Sequence, residues 1–363
     1  MDETPTALET PLAAFHAASG AKLSTWFGCS LPDRWIDPLA EQLFALRSVA
    51  LLDKNYRCYL SFTGPDRVRY LNAILTNNIK DLAVNRGAAS LLLNPQGHIL
   101  AEIETCARPE SLFCISYDMI RERLIEWLDK YIIMDDVTLA DESPRFGTLA
   151  LAGPESAFVA KAGSGVDLSA LQELESVETA FASIPCWVTR RSAGDSPGCE
   201  FLTERAHLAN LWEALLAQVK QHSGGPVGYA ALSAVRLAQG IPWFGYDFGE
   251  KQIPHEAGLQ NSHISFTKGC YTGQEIVERV RSRGQVNRQR VSLIFDGTSV
   301  PASGESLTAD GKDAGIITRA ALFAPKSIAI GIGYLRREFA APGTALRWSS
   351  GSATVAEFPE ALR

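Results

Sequence analysis

Polar and apolar positions along this chain follow two periods, and the places where one gives way to the other outline its elements. Leu39, Leu43, Leu46 and Val49 recur at helical spacing and predict a helix over that stretch. Val68, Leu71 and Ile74 form a second stripe behind the turn Gly64-Pro65-Asp66, with Asp66 placed as a cap. Helices are also predicted over residues 121–132, 208–219 and 229–238, the last stopped by Gly240 and Pro242. Period-two alternation predicts strands over 58–62 and 112–117, and residues 91–100 read as strand, tight turn and strand around Asn94-Pro95-Gln96-Gly97. Gly153-Pro154-Glu155 opens a second stretch of similar texture. Within it, 163–170 reads as a surface loop and 190–200 as a Gly/Ser/Asp/Pro loop between strands.

Strand, helix and hairpin segments alternate without a steady βαβ rhythm. That predicts an α+β fold with ferredoxin-like subdomains and not a doubly wound sheet. After Gly284 the pattern changes to short alternating runs, Val291, Leu293, Phe295 and Ile328, Ile330, Ile332, separated by Gly and Pro turns. This predicts a small β-barrel. The expected domains are residues 1–285, divided at about 1–145 and 146–285, and a barrel domain over 286–363.

Composition narrows the function classes. The 363 residues are 46% hydrophobic and 21% charged, an ordinary globular balance. The net charge of -7 argues against nucleic-acid binding through the whole surface, though not against a local basic patch. No apolar run approaches the ~20 residues that cross a bilayer. The first residues lack the basic and apolar regions of a signal peptide, so a cytoplasmic protein with no membrane partner is expected. Seven cysteines, at 29, 58, 106, 114, 186, 199 and 270, form no C-x-x-C pair, which fits a reducing compartment. No metal site is expected, and the six scattered histidines offer no catalytic candidate.

The most informative stretch is Lys268-Gly269-Cys270-Tyr271-Thr272-Gly273-Gln274-Glu275. Thr272 and Glu275 have the spacing of a capping box, and Ile276, Val277 and Val280 continue as an apolar stripe. Gly284 suits the left-handed position past a helix end, and Arg279, Arg281 and Arg283 crowd the last turn. Cys270 then lies just outside a helix N-terminus with Lys268 near, features that favour a thiolate. A buried structural cysteine is the commoner fate of such a residue, but two flanking glycines suit a loop that approaches a ligand.

The octet resembles, at every position, the signature of the YgfZ-type folate-binding proteins, whose mitochondrial relatives assist iron–sulfur cluster maturation. Arg236, Gly240-Ile241-Pro242, Ile253-Pro254 and Ile264-Ser265-Phe266 resemble the same family. The wider likeness is to the glycine-cleavage T-protein (aminomethyltransferase) superfamily. It is carried by Thr10-Pro11-Leu12, His16, Leu71 through Asn78, Gly315-Ile316-Ile317-Thr318 and Pro325 through Leu335, and spans about residues 10–358. The resemblance implies ferredoxin-like subdomains around a folate-binding centre, followed by a C-terminal β-barrel. It also implies tetrahydrofolate, or a one-carbon derivative of it, as the bound molecule.

A reduced folate presents adjacent N–H donors on its pterin edge, which a carboxylate can accept in pairs. The superfamily's pterin-gripping carboxylate matches the stretch Gly194-Asp195-Ser196-Pro197-Gly198-Cys199-Glu200, with Glu200 the first candidate and Asp195 the second. Arg236, Glu256, Trp243 and Tyr271 are the further folate-binding candidates, though capping a helix is the commoner fate of a residue placed like Glu256. Arg279, Arg281 and Arg283 either balance the helix dipole or receive an anion, such as a polyglutamate tail or tRNA. The T-protein's paired acids match Gly97-His98-Ile99-Leu100-Ala101-Glu102, where one acid has become Ala101 and Glu102 remains. Cys270, Lys268 and Glu102 are thus the catalytic candidates. The leading expectation is a tetrahydrofolate-binding accessory protein for iron–sulfur client or assembly proteins. A folate-dependent aminomethyl or one-carbon transferase and a tRNA-modification factor are the alternatives.

Overall fold

The computed structural model describes residues 7–192, 194, 196–284 and 286–362. They divide into two compact units. One takes the residues up to Tyr70, Asp81–Ala88 and Ile103–Leu232, and the other takes Leu71–Lys80, Ala89–Glu102 and the residues from Ser233 on.

The first unit is built on a six-stranded sheet. Its order is Ser176–Phe181, Ile184–Arg190, Gly198–Glu204, Phe146–Ala152, Ala50–Asp53 and Gly225–Pro226. All neighbours are antiparallel except the last pair. Helices Ser156–Ser164 and Leu208–Gln221 contribute Val159, Leu211, Leu215 and Val219 to a core with Leu149, Leu151 and Phe201. Trp212, 1% exposed, is its largest member.

A five-stranded sheet has the order Gly87–Leu93, Ile99–Ala107, Leu112–Tyr117, Arg57–Thr63 and Thr138–Asp141. Its first two strands run on into the second unit. Tyr59, Phe113, Phe146 and Leu202 form a separate aromatic-rich cluster. Arg57–Thr63 is buried at six successive positions, so both faces of its alternation are covered.

The helix predicted around Leu39 runs Pro38–Arg47, yet it buries Glu41, Gln42 and Ala45 rather than the leucine stripe. Leu39, Leu43 and Leu46 are only half-buried. Glu41 decides the orientation. Its carboxylate accepts the backbone N–H of Trp35, Ile36 and Gly228, at 2.5, 2.9 and 2.8 Å. Burial pushes its pKa up against those bonds. The predicted loop at 163–170 also departs from expectation: helix Ser156–Ser164 ends at left-handed Gly165, and a short turn, Leu168–Ala170, buries Leu168.

In the second unit, Arg288–Phe295, Ile328–Arg336, Lys312–Phe323, Ser306–Ala309, Ala345–Trp348 and Gly351–Ala356 close into a barrel in that order. Val291, Leu293 and Phe295 point inward with Leu307, Ile317, Leu346 and Val355, as their alternation predicts. Gly315 has φ +154, and a Cβ there would stand 1.9 Å from the Tyr334 carbonyl oxygen, so only glycine fits. The fold is thus a mixed α/β structure with a closed six-stranded barrel. Among the described residues, no helix is long and apolar enough to cross a membrane.

Candidate functional site

Glu200 is the centre of a charged cluster in the first unit. The expected loop is shorter than its sequence suggests, because the strand already begins at Gly198. A Cβ at Gly198 would lie 2.5 Å from the Arg191 carbonyl oxygen, so this glycine lets the two strands close early. Glu200 therefore sits within the sheet, opposite Thr189 and Ala150, and is 4% exposed. Lys54 Nζ donates to its Oε1 at 2.7 Å and Arg57 Nη1 to its Oε2 at 2.5 Å. Arg57 also lies 3.5 Å from Glu104, which pairs in turn with Arg191. Burial alone would raise the Glu200 pKa. Arg57, Lys54 and Arg191 outweigh it and hold the carboxyl well below the usual carboxylate range.

A small cavity of about 30 Å³, partly open to solvent, is lined by Glu200 and Glu104. Thr105 and Thr189 bring hydroxyls to it, and Phe113 and Leu202 bring apolar surface. The lining also includes Arg108, whose guanidinium stacks over the Trp187 ring at 5.0 Å. Lys54, Arg57, Glu104 and Arg191 were not anticipated. Lys54 and Arg57 lie 146 and 143 positions from Glu200, and no local pattern marks them. Asp195, the second pterin candidate, lies outside the described residues.

The Lys268–Glu275 stretch belongs to the second unit. Its helix starts at Gln274, with Gly273 at φ +81 as the cap residue and no side-chain capping bond. The expected Thr272–Glu275 capping box does not form. With Gly273 as cap, Glu275 falls on the second helical position, one short of where the box needs it, and it pairs with Arg279 at 2.7 Å. Gly273 is required because a Cβ there would lie 2.7 Å from the Asn94 carbonyl oxygen. Gly284 does end the helix in the left-handed conformation.

Cys270 is exposed, whereas Cys29, Cys58, Cys114, Cys186 and Cys199 are buried and Cys106 is half-buried. Lys268 turns its ammonium to the carbonyls of Asn72 and Leu75, at the end of helix Arg67–Ile74. It stands 5.1 Å from the Tyr271 ring centre, and burial lowers its pKa to about 8. Tyr271 is itself 7% exposed, more a wall of this loop than an open surface.

Strand Ile99–Ala107 alternates buried and half-buried positions, so Ala101 faces the core and Glu102 the opposite side. Glu102 Oε1 lies 3.0 Å from His263 Nε2, within hydrogen-bond distance of a histidine that no local pattern singles out.

Arg236 is 3% exposed and ion-paired to Asp247, with its guanidinium 4.5 Å from the Trp243 ring centre. Asp247 also accepts the Trp243 backbone N–H at 2.8 Å and the Thr318 hydroxyl at 2.7 Å. Arg236 and Trp243 thus belong to a packed knot around Asp247, another residue the sequence did not flag. Glu256 takes its helix-capping role, accepting from Ile253 N at 3.3 Å, and pairs with Arg288 at 3.0 Å. Arg281 pairs with Glu278 at 3.3 Å and stacks on Phe266, while the Arg283 side chain lies outside the described residues. Both described arginines of the last turns are therefore matched by acids on their own helix.

The architecture is that of the glycine-cleavage aminomethyltransferases. The crystal structure of aminomethyltransferase T of the Bartonella henselae glycine cleavage system superposes with a TM-score of 0.87, at 20% identity, over 97% of this chain and 98% of that one. The chain belongs to the GCVT family, since the GCVT N-terminal domain model matches residues 7–268. The aminomethyltransferase of Streptomyces avermitilis is 25% identical over 340 residues, covering 93% of this chain and 91% of the relative. That of Rubrobacter xylanophilus is 25% identical over 91% of this chain and 87% of its own length.

Proposed function

We propose that this protein binds a reduced folate and transfers an aminomethyl or other one-carbon unit to or from it. The reading rests on Glu200. A carboxylate that stays ionised is an acceptor with no donor of its own. Lined up with apolar and hydroxyl surface, it suits a flat heterocycle whose edge carries adjacent N–H groups. A pterin is such a ring. Membership in the GCVT family and the aminomethyltransferase names of its relatives support the same choice. Bound tetrahydrofolate supplies nitrogens that carry the one-carbon unit. The chain's own part is to orient the ring through Glu200, kept anionic by Lys54 and Arg57. Incubating the protein with a lipoyl-bearing carrier loaded with an aminomethyl group, with and without tetrahydrofolate, tests this. Folate-dependent release of ammonia supports transfer, and its absence at stoichiometric protein removes the enzymatic reading.

A second reading, a YgfZ-type folate-binding accessory to iron–sulfur proteins, is favoured by two observations. Cys270 is the exposed cysteine in the octet that resembles that family, and Ala101 is apolar and buried where the transferases would carry an acid. Under this reading folate binding persists without turnover, and Cys270 contacts the client.

A further inference from the structure

Glu200 does not meet a ligand alone. A carboxylate has about four lone-pair sites. Lys54 Nζ fills one on Oε1 at 2.7 Å, and Arg57 Nη1 fills one on Oε2. Among the described residues, one site on each oxygen is left. The cavity that Glu200 lines, at about 30 Å³, holds about two waters. That is room for the edge of a ring whose body lies toward the open side. The two cations differ. Arg57 is 7% exposed, and its second terminal nitrogen, Nη2, faces Glu104 at 3.5 Å. The Lys54 side chain is 16% exposed and has Glu200 as its one carboxylate among the described residues. An ammonium carries three donors, so two of its N–H groups have no acceptor there.

The backbone that presents Lys54 is pinned on both sides. The Lys54 N–H donates to the Thr148 carbonyl at 3.0 Å. Buried Asp53 accepts the Asn55 N–H and Nδ2 on Oδ1, at 2.8 and 2.5 Å, and its Oδ2 lies 2.9 Å from His16 Nε2. Asn55 Oδ1 in turn accepts the Thr148 N–H at 3.0 Å. Held at its backbone and again at Nζ, the Lys54 ammonium is a pre-organised donor, and little ordering remains to be done when a ligand arrives.

Glu200 Oε2, Glu200 Oε1 and Lys54 Nζ therefore read acceptor, acceptor, donor. The complementary edge is donor, donor, acceptor. A 2-amino-4-oxopyrimidine ring has that edge in its amino group, its ring N–H and its oxo oxygen, and a reduced pterin contains this ring. We propose that Lys54 is the specificity-determining residue of the Glu200 site, donating to the 4-oxo group of a 2-amino-4-oxopyrimidine ring while Glu200 accepts the two N–H groups beside it. For the identity of the ring the proposal rests on the folate reading above. A 4-amino ring turns a donor toward the ammonium and cannot make this contact.

The experiment is calorimetry on the full chain, as wild type, Lys54→Met and Lys54→Gln, with three ligands: tetrahydrofolate, its 4-amino analogue and guanosine. Lys54→Met should weaken tetrahydrofolate roughly ten- to a hundredfold, the range of a charge-assisted hydrogen bond. The 4-amino analogue should change by less than about threefold, because it has no such bond to lose. Lys54→Gln keeps a neutral donor and should fall between wild type and Lys54→Met. Equal losses for the oxo and amino ligands would mean that Lys54 acts only through Glu200, and an unchanged tetrahydrofolate affinity would mean that it does not meet the ring. Either result overturns the proposal. Should Lys54→Met fail to fold, as circular dichroism would show, the same oxo–amino comparison on Lys54→Gln decides. Guanosine carries the same edge on a purine. Lys54-dependent binding of guanosine without binding of tetrahydrofolate upholds the edge and removes the folate reading, whereas a wild type that binds none of the three removes both.

Discussion

Replacing Glu200 by Gln removes one negative charge from a buried cluster that contains three cations, Lys54, Arg57 and Arg191, and two carboxylates, Glu104 and Glu200. The variant leaves Lys54 without its carboxylate at 2.7 Å and Arg57 with only the more distant Glu104 at 3.5 Å. Breaking a buried pair by removing one partner costs roughly 3–5 kcal/mol. Gln retains the shape and one acceptor oxygen, so the lower end, about 3 kcal/mol, is expected, or about two powers of ten in the local opening equilibrium. Because a chain of two units need not unfold in one step, the suitable assay is native-state hydrogen exchange of the amides in Gly198–Glu204 and its partner Phe146–Ala152.

The pH dependence carries a definite sign. The folded pKa of Glu200 lies below that of the unfolded chain, about 4.3. Its stabilisation is complete above that value and is lost as pH falls toward the folded pKa. The gap between wild type and Glu200→Gln should therefore be flat from about pH 5 to 8 and narrow below about pH 4. Equal protection of these strands at pH 7, or a gap that widens in acid, would refute the electrostatic account.

Two further outcomes follow from the same geometry. A charged alkylating agent should label Cys270 at least tenfold faster than Cys58 or Cys114, because burial pushes both of those thiols up to about 12 whereas Cys270 is exposed; comparable rates measured by mass spectrometry would mean that the loop is closed in solution. Gly315→Ala should destabilise the barrel by about 2 kcal/mol or more, because it combines a forbidden φ with a clash on the Tyr334 carbonyl; an unchanged melting temperature and unchanged proteolysis within 288–356 would show that this register is wrong.

What could be read in advance was what period and turn chemistry control. Helix Tyr229–Ala238 and strand Leu112–Tyr117 have the predicted bounds because their spacing is regular and glycine or proline punctuates their ends. The alternation at Val291, Leu293 and Phe295 likewise announced the barrel. Where a polar side chain was recruited into the interior, the pattern misled. Glu41 turns the Pro38–Arg47 helix toward three backbone donors that no stripe of leucines foretells. Gly273 displaced the capping box by one position for a steric reason located at Asn94. The candidate site divides the same way. Glu200 was singled out by its neighbours in sequence and the family likeness they carry, and the structure places it on a cavity wall. Its partners Lys54 and Arg57, and the His263 partner of Glu102, come together only through sheet register and long-range packing, 143 to 161 positions apart, where local sequence has no voice.

Isothermal calorimetry of tetrahydrofolate against the wild type and Glu200→Gln weighs the central claim most directly. A charge-assisted hydrogen bond contributes about 1.5–3 kcal/mol, so the wild type should bind and the variant should bind roughly ten- to a hundredfold more weakly. A wild type that gives no heat of binding, or a variant with the same dissociation constant, would contradict the assignment of this carboxylate to a reduced pterin.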